Sequence, residues 1–158
     1  MAADGNRVYP VDKFVLHHAV TPHYTNMSEA DLRAKFDGFG TAIYNQYGQT
    51  PYNHINPSTG GLTHTQAHWA LQEYNADGNK YGWRVVELLA DCMQNVVWGA
   101  GNWSVNQTCI NMETCIDARN EILPEKALMC VADKLRPIDS QLGGALKIYG
   151  HQQVSQLG

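Results

Sequence analysis

The stretch FVLHHAVTP, residues 14–22, sets His17 and His18 side by side behind an apolar run, where a strand entering a core would ordinarily end in a turn residue. The chain has five further histidines, His23, His54, His64, His68 and His151. No pair of them shows the H-E-x-x-H spacing that puts two ligands on one helix face. Taken singly, each reads more readily as a hydrogen-bonded structural residue than as a ligand. Position favours two of them. His17 closes the apolar triplet FVL and His151 closes KIY-Gly, and strand ends along one sheet edge are where metal ligands converge. Glu113 stands in TCINMETCI, a segment otherwise apolar enough to be buried. A carboxylate there is expensive unless it is paired, hydrogen-bonded or facing a cleft. On residue chemistry alone two readings stay open: the wet face of a half-exposed strand, or a general base with a raised pKa beside a metal-bound water. The four cysteines, Cys92, Cys109, Cys115 and Cys130, lack C-x-x-C spacing, so neither a zinc knuckle nor a redox pair is signalled. Reduced, buried thiols are expected, with a Cys109–Cys115 disulfide as the alternative for a protein working outside the cell.

The elements that must position these groups alternate between strand and helix. FVLHHAV has the β-branched and aromatic content of a buried strand, and within it His17 and His18 point to opposite faces, which gives His18 a packing role. Ser28 caps a helix with Asp31 three residues on, Met27 as a staple, and Leu32, Phe36 and Phe39 on one face. Gly38 and Gly40 are expected to end it. From TPYNHINPSTGG to EYNADGNKYG the chain is rich in Asn, Gly, Pro and Tyr and reads as short strands or loops at the surface. WRVVELLADCMQ reads as a helix, VVWGAGN as a short strand running into a glycine turn, and TCINMETCI as a buried strand. A second amphipathic helix starts near Pro124 with Ala127, Leu128, Val131 and Leu135 inward. It is expected to stop at Arg136, because Pro137 follows. ALKIYGH is a final strand. The class is α/β with a central mixed sheet flanked by few helices.

At 158 residues and 44% hydrophobic, the chain is one domain's worth and can bury a real core. A net charge of -4 leaves no basic footprint, which argues against nucleic acid or an anionic membrane as partner. No apolar window approaches the ~20 residues needed to span a bilayer. MAADGNRVYP lacks the basic and apolar regions of a signal peptide, so synthesis in the cytoplasm is expected.

Four segments, in order and across nearly the whole chain, resemble the zinc-dependent N-acetylmuramoyl-L-alanine amidases of the type 2 class, a family that includes phage endolysins and the peptidoglycan recognition proteins. FVLHHAVTP resembles the first strand with its first zinc histidine, matched by His17. TPYNHINPSTGGL resembles the segment of the active-site tyrosine, matched by Tyr52. VVWGAGNWSVNQTCINMET resembles the Gly- and Asn-rich loop leading into a strand that carries a glutamate in bacterial and phage members, matched by Glu113. IYGHQQVS resembles the segment of the second zinc histidine, matched by His151.

The resemblance implies a peptidoglycan hydrolase of endolysin or autolysin type, acting on the bacterial cell wall and cutting the amide between N-acetylmuramic acid and L-alanine of the stem peptide. It implies Zn2+ on His17 and His151, Glu113 as general base and Tyr52 at the oxyanion or the water. Trp69, Trp98, Trp103 and the tyrosines around Tyr74 could line a cleft, with core packing as their default role. The family's third ligand, a cysteine about eight positions after the second histidine, would fall at position 159, and the residue two before it on Leu157. Residues 1–158 are therefore expected to be a single catalytic domain stopping just short of that ligand, holding zinc poorly and cutting slowly or not at all. Some members of the family bind peptidoglycan without cutting it, and a binding module of the same fold is the alternative.

Overall fold

The computed structural model describes residues 6–17, 21–47, 54–76, 78–99 and 102–150. Five strands form one mixed sheet in the order β5-β4-β6-β1-β7, with β1 Lys13–His17, β4 Trp69–Glu73, β5 Trp83–Glu87, β6 Cys109–Thr114 and β7 Lys147–Gly150. β1 lies parallel to both β6 and β7, β4 is parallel to β6, and β4 and β5 form an antiparallel pair. β2 His54–Ile55 and β3 Leu62–Thr63 make a small separate hairpin. This is the mixed α/β architecture expected.

Side-chain alternation along the strands divides the molecule into three layers. Phe14, Ile110 and Met112 face helix α3 Glu125–Gln141, where Ala127, Val131 and Leu135 complete the larger core with Trp69 and Leu71. On the other face Ala70 and Val86 pack against Leu32 and Phe36 of helix α1 Glu29–Tyr47. Residues out of phase with Phe14 and Ile110, namely Val15 and His17 on β1 and Asn111 and Glu113 on β6, therefore share the α1 side of the sheet. Cys92, Cys109, Cys115 and Cys130 are free thiols, and burial pushes the first three up to about 12.

Several expectations need correction. Gly38 and Gly40 do not end α1, which runs on to Tyr47; Gly40 lies instead where a Cβ would meet the His64 carbonyl oxygen at 1.8 Å, so it permits a close approach. The stretch read as surface contains β4, the buried strand between β5 and β6. The polar His68 just before it and Gln72 within it are fully buried but satisfied internally, Gln72 through both Met27 N–H and Met27 carbonyl. WRVVELLADCMQ is not a helix: Trp83, Val85 and Val86 pair with β4 as β5, and only Cys92–Gln94 turn, as a 3-10 segment. Aromatic and β-branched residues suit the pleat, and the available partner strand decided the matter. Val96 and Val97 are buried without forming a strand. α3 passes through Pro137 and continues to Gln141, because Ile138 beyond the proline still packs on the core; it stops where Gly143 and Gly144 take positive φ. Leu128 points outward, 47% exposed.

Ser28 does cap α1, its Oγ accepting from Asp31 N–H at 3.1 Å. The segment before that cap is fastened by His23, whose Nε2 lies 2.7 Å from Glu73 Oε2 and whose Nδ1 lies 2.5 Å from Glu121 Oε1. The hydrogen bond to Glu121, against partial burial and with help from Glu73, raises the His23 pKa above its ordinary value. A raised folded value stabilises fully below the unfolded pKa of ~6.5 and is lost as pH climbs through the folded value. His23→Ala should therefore lower the melting temperature most at pH 6, with the gap to the parent closing toward pH 9. A gap independent of pH would show that the two carboxylates do not act through the imidazolium.

Candidate functional site

β1 and β6 are neighbouring parallel strands, so their carboxyl ends lie on one edge of the sheet, the place where open α/β sheets form ligand sites. Register puts His17 opposite Glu113 there. His17 is 4% exposed, and its Nδ1 stands 3.9 Å from Glu113 Oε1. Its Nε2 lies 2.7 Å from Asn111 Oδ1, and its backbone carbonyl accepts from the Thr114 hydroxyl at 3.2 Å. The Glu113 side chain keeps 25% of its surface open, and that opening faces a cleft of about 250 Å³. Phe36, Phe39 and Ile43 of α1 form its apolar wall; Thr21, Gln66, Ala67 and Gly99 complete it. Phe36 and Phe39 meet edge to face at 5.5 Å.

Burial alone pushes the Glu113 carboxyl up to about 7. A carboxyl in that range exchanges protons readily at neutral pH, the property a general acid–base needs. His68 is held apart from this chemistry. Its Nδ1 accepts from Asn111 N–H at 2.9 Å, and its Nε2 lies 2.8 Å from the Asn95 carbonyl. Burial first, and the nearby Arg7 guanidinium second, keep His68 neutral with a pKa well below the ordinary value. Arg7 itself donates to the carbonyls of Met93, Gln107 and Cys109, which ties the amino-terminal segment under the β6 end of the sheet. His54 is likewise neutral, its pKa lowered to about 4 by burial. His64 stacks on Tyr44 at 5.3 Å.

The sequence matches no protein-family model and no curated protein. The architecture does match solved structures. Drosophila peptidoglycan recognition protein SD superposes with a TM-score of 0.62 at 14% identity, covering 98% of this chain and 76% of that one. The ectodomain complex of peptidoglycan recognition proteins LCa and LCx with tracheal cytotoxin gives 0.60 at 16% identity over 94% of this chain and 75% of that one. The N-acetylmuramoyl-L-alanine amidase LysC from Clostridium intestinale gives 0.53 at 14% identity over 92% and 73%. The fold is that of peptidoglycan recognition proteins and amidases.

Within this recognition-protein and amidase fold, the residues singled out from the sequence fall as follows. His17 and Glu113 come together on adjacent strands. Tyr52, His18 and His151 lie outside the described residues; His151 is next in sequence after Gly150, the last residue of β7, which pairs with Leu16. Among the described residues no three His, Cys, Asp or Glu side chains converge as a metal-ligand set. Trp69 is core, 1% exposed; Trp98 meets Trp103, the first residue of the short helix α2 Trp103–Asn106, edge to face at 5.2 Å ahead of β6, and Tyr74 stacks under the Arg84 guanidinium. Sequence reasoning missed Asn111, although its spacing of two from Glu113 in an apolar strand placed both on one face. It placed Phe36 and Phe39 correctly on one helix face, but not that face at a cleft: Phe36 is core and reaches the cleft, and Phe39, 39% exposed, is part of its wall.

Proposed function

We propose that this chain is a zinc-dependent N-acetylmuramoyl-L-alanine amidase of endolysin or autolysin type, hydrolysing the amide between N-acetylmuramic acid and L-alanine in peptidoglycan. The observation that carries it is Glu113: a carboxyl poised near pH 7 by burial, in register with a buried histidine, opening into an apolar-walled cleft. A pure binding module has no use for such a group.

The chemistry of His17 fits a zinc ligand, because ligating histidines are held through their second ring nitrogen, here by the buried Asn111 amide. We assign His17 and His151 as ligands. Bound there, zinc supplies Lewis acidity toward the amide carbonyl and lowers the pKa of a water. The residues of the chain do the rest. Glu113 takes the proton of the attacking water at a carboxylate oxygen and passes it to the departing alanine nitrogen. Tyr52 donates a hydrogen bond to the carbonyl oxygen as charge develops on it. Phe36, Phe39 and Ile43 seat the small apolar groups next to the scissile bond and exclude water, which strengthens every polar contact at the reacting atoms.

The test is digestion of purified peptidoglycan, following release of new α-amino groups on alanine. Slow release that is abolished by a chelator and raised by excess Zn2+ is the expected outcome. Retention on insoluble peptidoglycan with no release would replace the enzyme by a recognition module, the role of the neighbours that carry that name. Neither binding nor release would overturn the peptidoglycan reading altogether.

A further inference from the structure

We propose that Asn111 is a positioning residue that fixes the ring proton of His17 on Nε2 and thereby makes Nδ1 the metal-binding nitrogen. This rests on the assignment of His17 as a zinc ligand. An amide oxygen can only accept a hydrogen bond, so the 2.7 Å contact between Asn111 Oδ1 and His17 Nε2 requires the proton on Nε2. A neutral imidazole carries one ring proton, which leaves the lone pair on Nδ1. That is the nitrogen on the Glu113 side of the ring, 3.9 Å from Oε1. A ligand lone pair aimed beside the general base is the arrangement the reaction requires.

The Asn111 side chain is not free to turn away. Its backbone is clamped by His68, just before β4, whose backbone N–H donates to the Asn111 carbonyl at 3.0 Å and whose Nδ1 accepts from Asn111 N–H at 2.9 Å. Over the side chain lies Gly99, where a Cβ would come within 2.8 Å of Asn111 Cγ and 2.5 Å of the Gln66 carbonyl oxygen. The backbone at Gly99 thus closes directly on the amide. Asn111 is fully buried in a strand of Cys109, Ile110 and Met112, and among the described residues its Nδ2 has only the weak acceptor Cys109 Sγ near it. A buried amide so poorly satisfied is costly to keep. A residue selected only for packing at this place would be apolar, so the amide oxygen is the feature that explains an asparagine.

The experiment reads the tautomer and the metal separately. Ring-nitrogen NMR of the metal-free chain at pH 8 should show His17 protonated at Nε2 in the parent and in Asn111→Asp, which keeps an acceptor oxygen. In Asn111→Leu the Nδ1-protonated form should appear. Zinc affinity, measured by competition with a chromophoric chelator, should fall about 10–100-fold in Asn111→Leu, the usual effect of removing such a partner, and stay within a few-fold in Asn111→Asp. A parent ring protonated on Nδ1 would overturn the proposal even if Asn111→Leu fails to fold, as would unchanged zinc affinity in a folded Asn111→Leu. Zinc that binds without moving the His17 ring signals would overturn the ligand assignment instead, and the tautomer result would show which of the two ideas had failed.

Discussion

Glu113→Gln is expected to lower the rate of peptidoglycan hydrolysis about 10²–10⁴-fold, the usual contribution of a general base, and at the same time to make the metal-free chain more stable at pH 8. Both effects come from one fact. Burial holds the Glu113 pKa at about 7, against an ordinary value of 4.5. Between those two values the folded chain keeps the proton that the unfolded chain has released, so stability falls as pH rises through the window. Above pH 7 the folded chain carries a desolvated carboxylate, at a cost of roughly 3.5 kcal/mol at most, taking about 1.4 kcal/mol per pKa unit. Glutamine keeps the shape and removes the charge. Its melting temperature should match the parent near pH 4, where both side chains are neutral, and exceed it by several degrees at pH 8. Thermal unfolding in the presence of a chelator measures this, and amine release with Zn2+ measures the rate. A bound dication would favour the carboxylate and shrink the stability gain, so adding Zn2+ should bring the two melting curves closer together. A surface glutamate would show neither the rate loss nor the pH-dependent gain.

How much of this was legible in the sequence depends on which force decided each element. β1, β6, α3 and the start of α1 were readable, because FVLH, TCINMET and the Leu32/Phe36 spacing bury the same face that local pattern predicts, and Ser28 supplies the cap. β4 and β5 were not. β4 carries Gln72 and follows directly on His68, both at full burial, and those polar groups look like surface until their partners, Asn111, Asn95 and Met27, are known. β5 has apolar residues that serve a helix or a strand equally well, and pairing with β4 settled the outcome. Pro137 misled for the same reason: a local rule against proline in helices yielded to the packing of Ile138. At the site, His17 and Glu113 stood out because an ionisable residue in an apolar strand is costly wherever it lies. Asn111 carries no charge and raised no such signal. The cleft wall was hidden because an aromatic lining a groove has the same helical spacing as one in a core.

The two glycines of α1 separate local preference from packing, and replacing each by alanine should move stability in opposite directions. Alanine is the better helix former by about 1 kcal/mol. At Gly38 a Cβ would meet nothing within 4 Å, so propensity acts alone and Gly38→Ala should stabilise by up to about 1 kcal/mol. At Gly40 a Cβ would lie 1.8 Å from the His64 carbonyl oxygen and 2.5 Å from its carbon. Both are backbone atoms, held in place by α1 itself. Asp37 Oδ1 accepts from Thr63 Oγ1 and from His64 N–H at 2.9 and 2.6 Å, Thr41 Oγ1 lies 2.9 Å from His64 Nδ1, and Tyr44 stacks on the same ring. Residues 37, 40, 41 and 44 form one helical face, and that face is the seam fixing α1 to residues 63–65. Neither side can yield without breaking these contacts, so Gly40→Ala should cost about 3 kcal/mol or more, beyond the ordinary range for overpacking. Where the variant still folds, α1 must tilt outward and carry Phe36, Phe39 and Ile43 with it. The cleft beside Glu113 then widens, and KM for peptidoglycan should rise further than kcat falls, since the reacting groups on β1 and β6 stay in register. Denaturant unfolding of both variants, with their kinetics, tests the assignment of α1 as the substrate wall. A Gly40→Ala chain as stable as Gly38→Ala would show that α1 does not rest on His64, and the cleft would have to be redrawn without that helix.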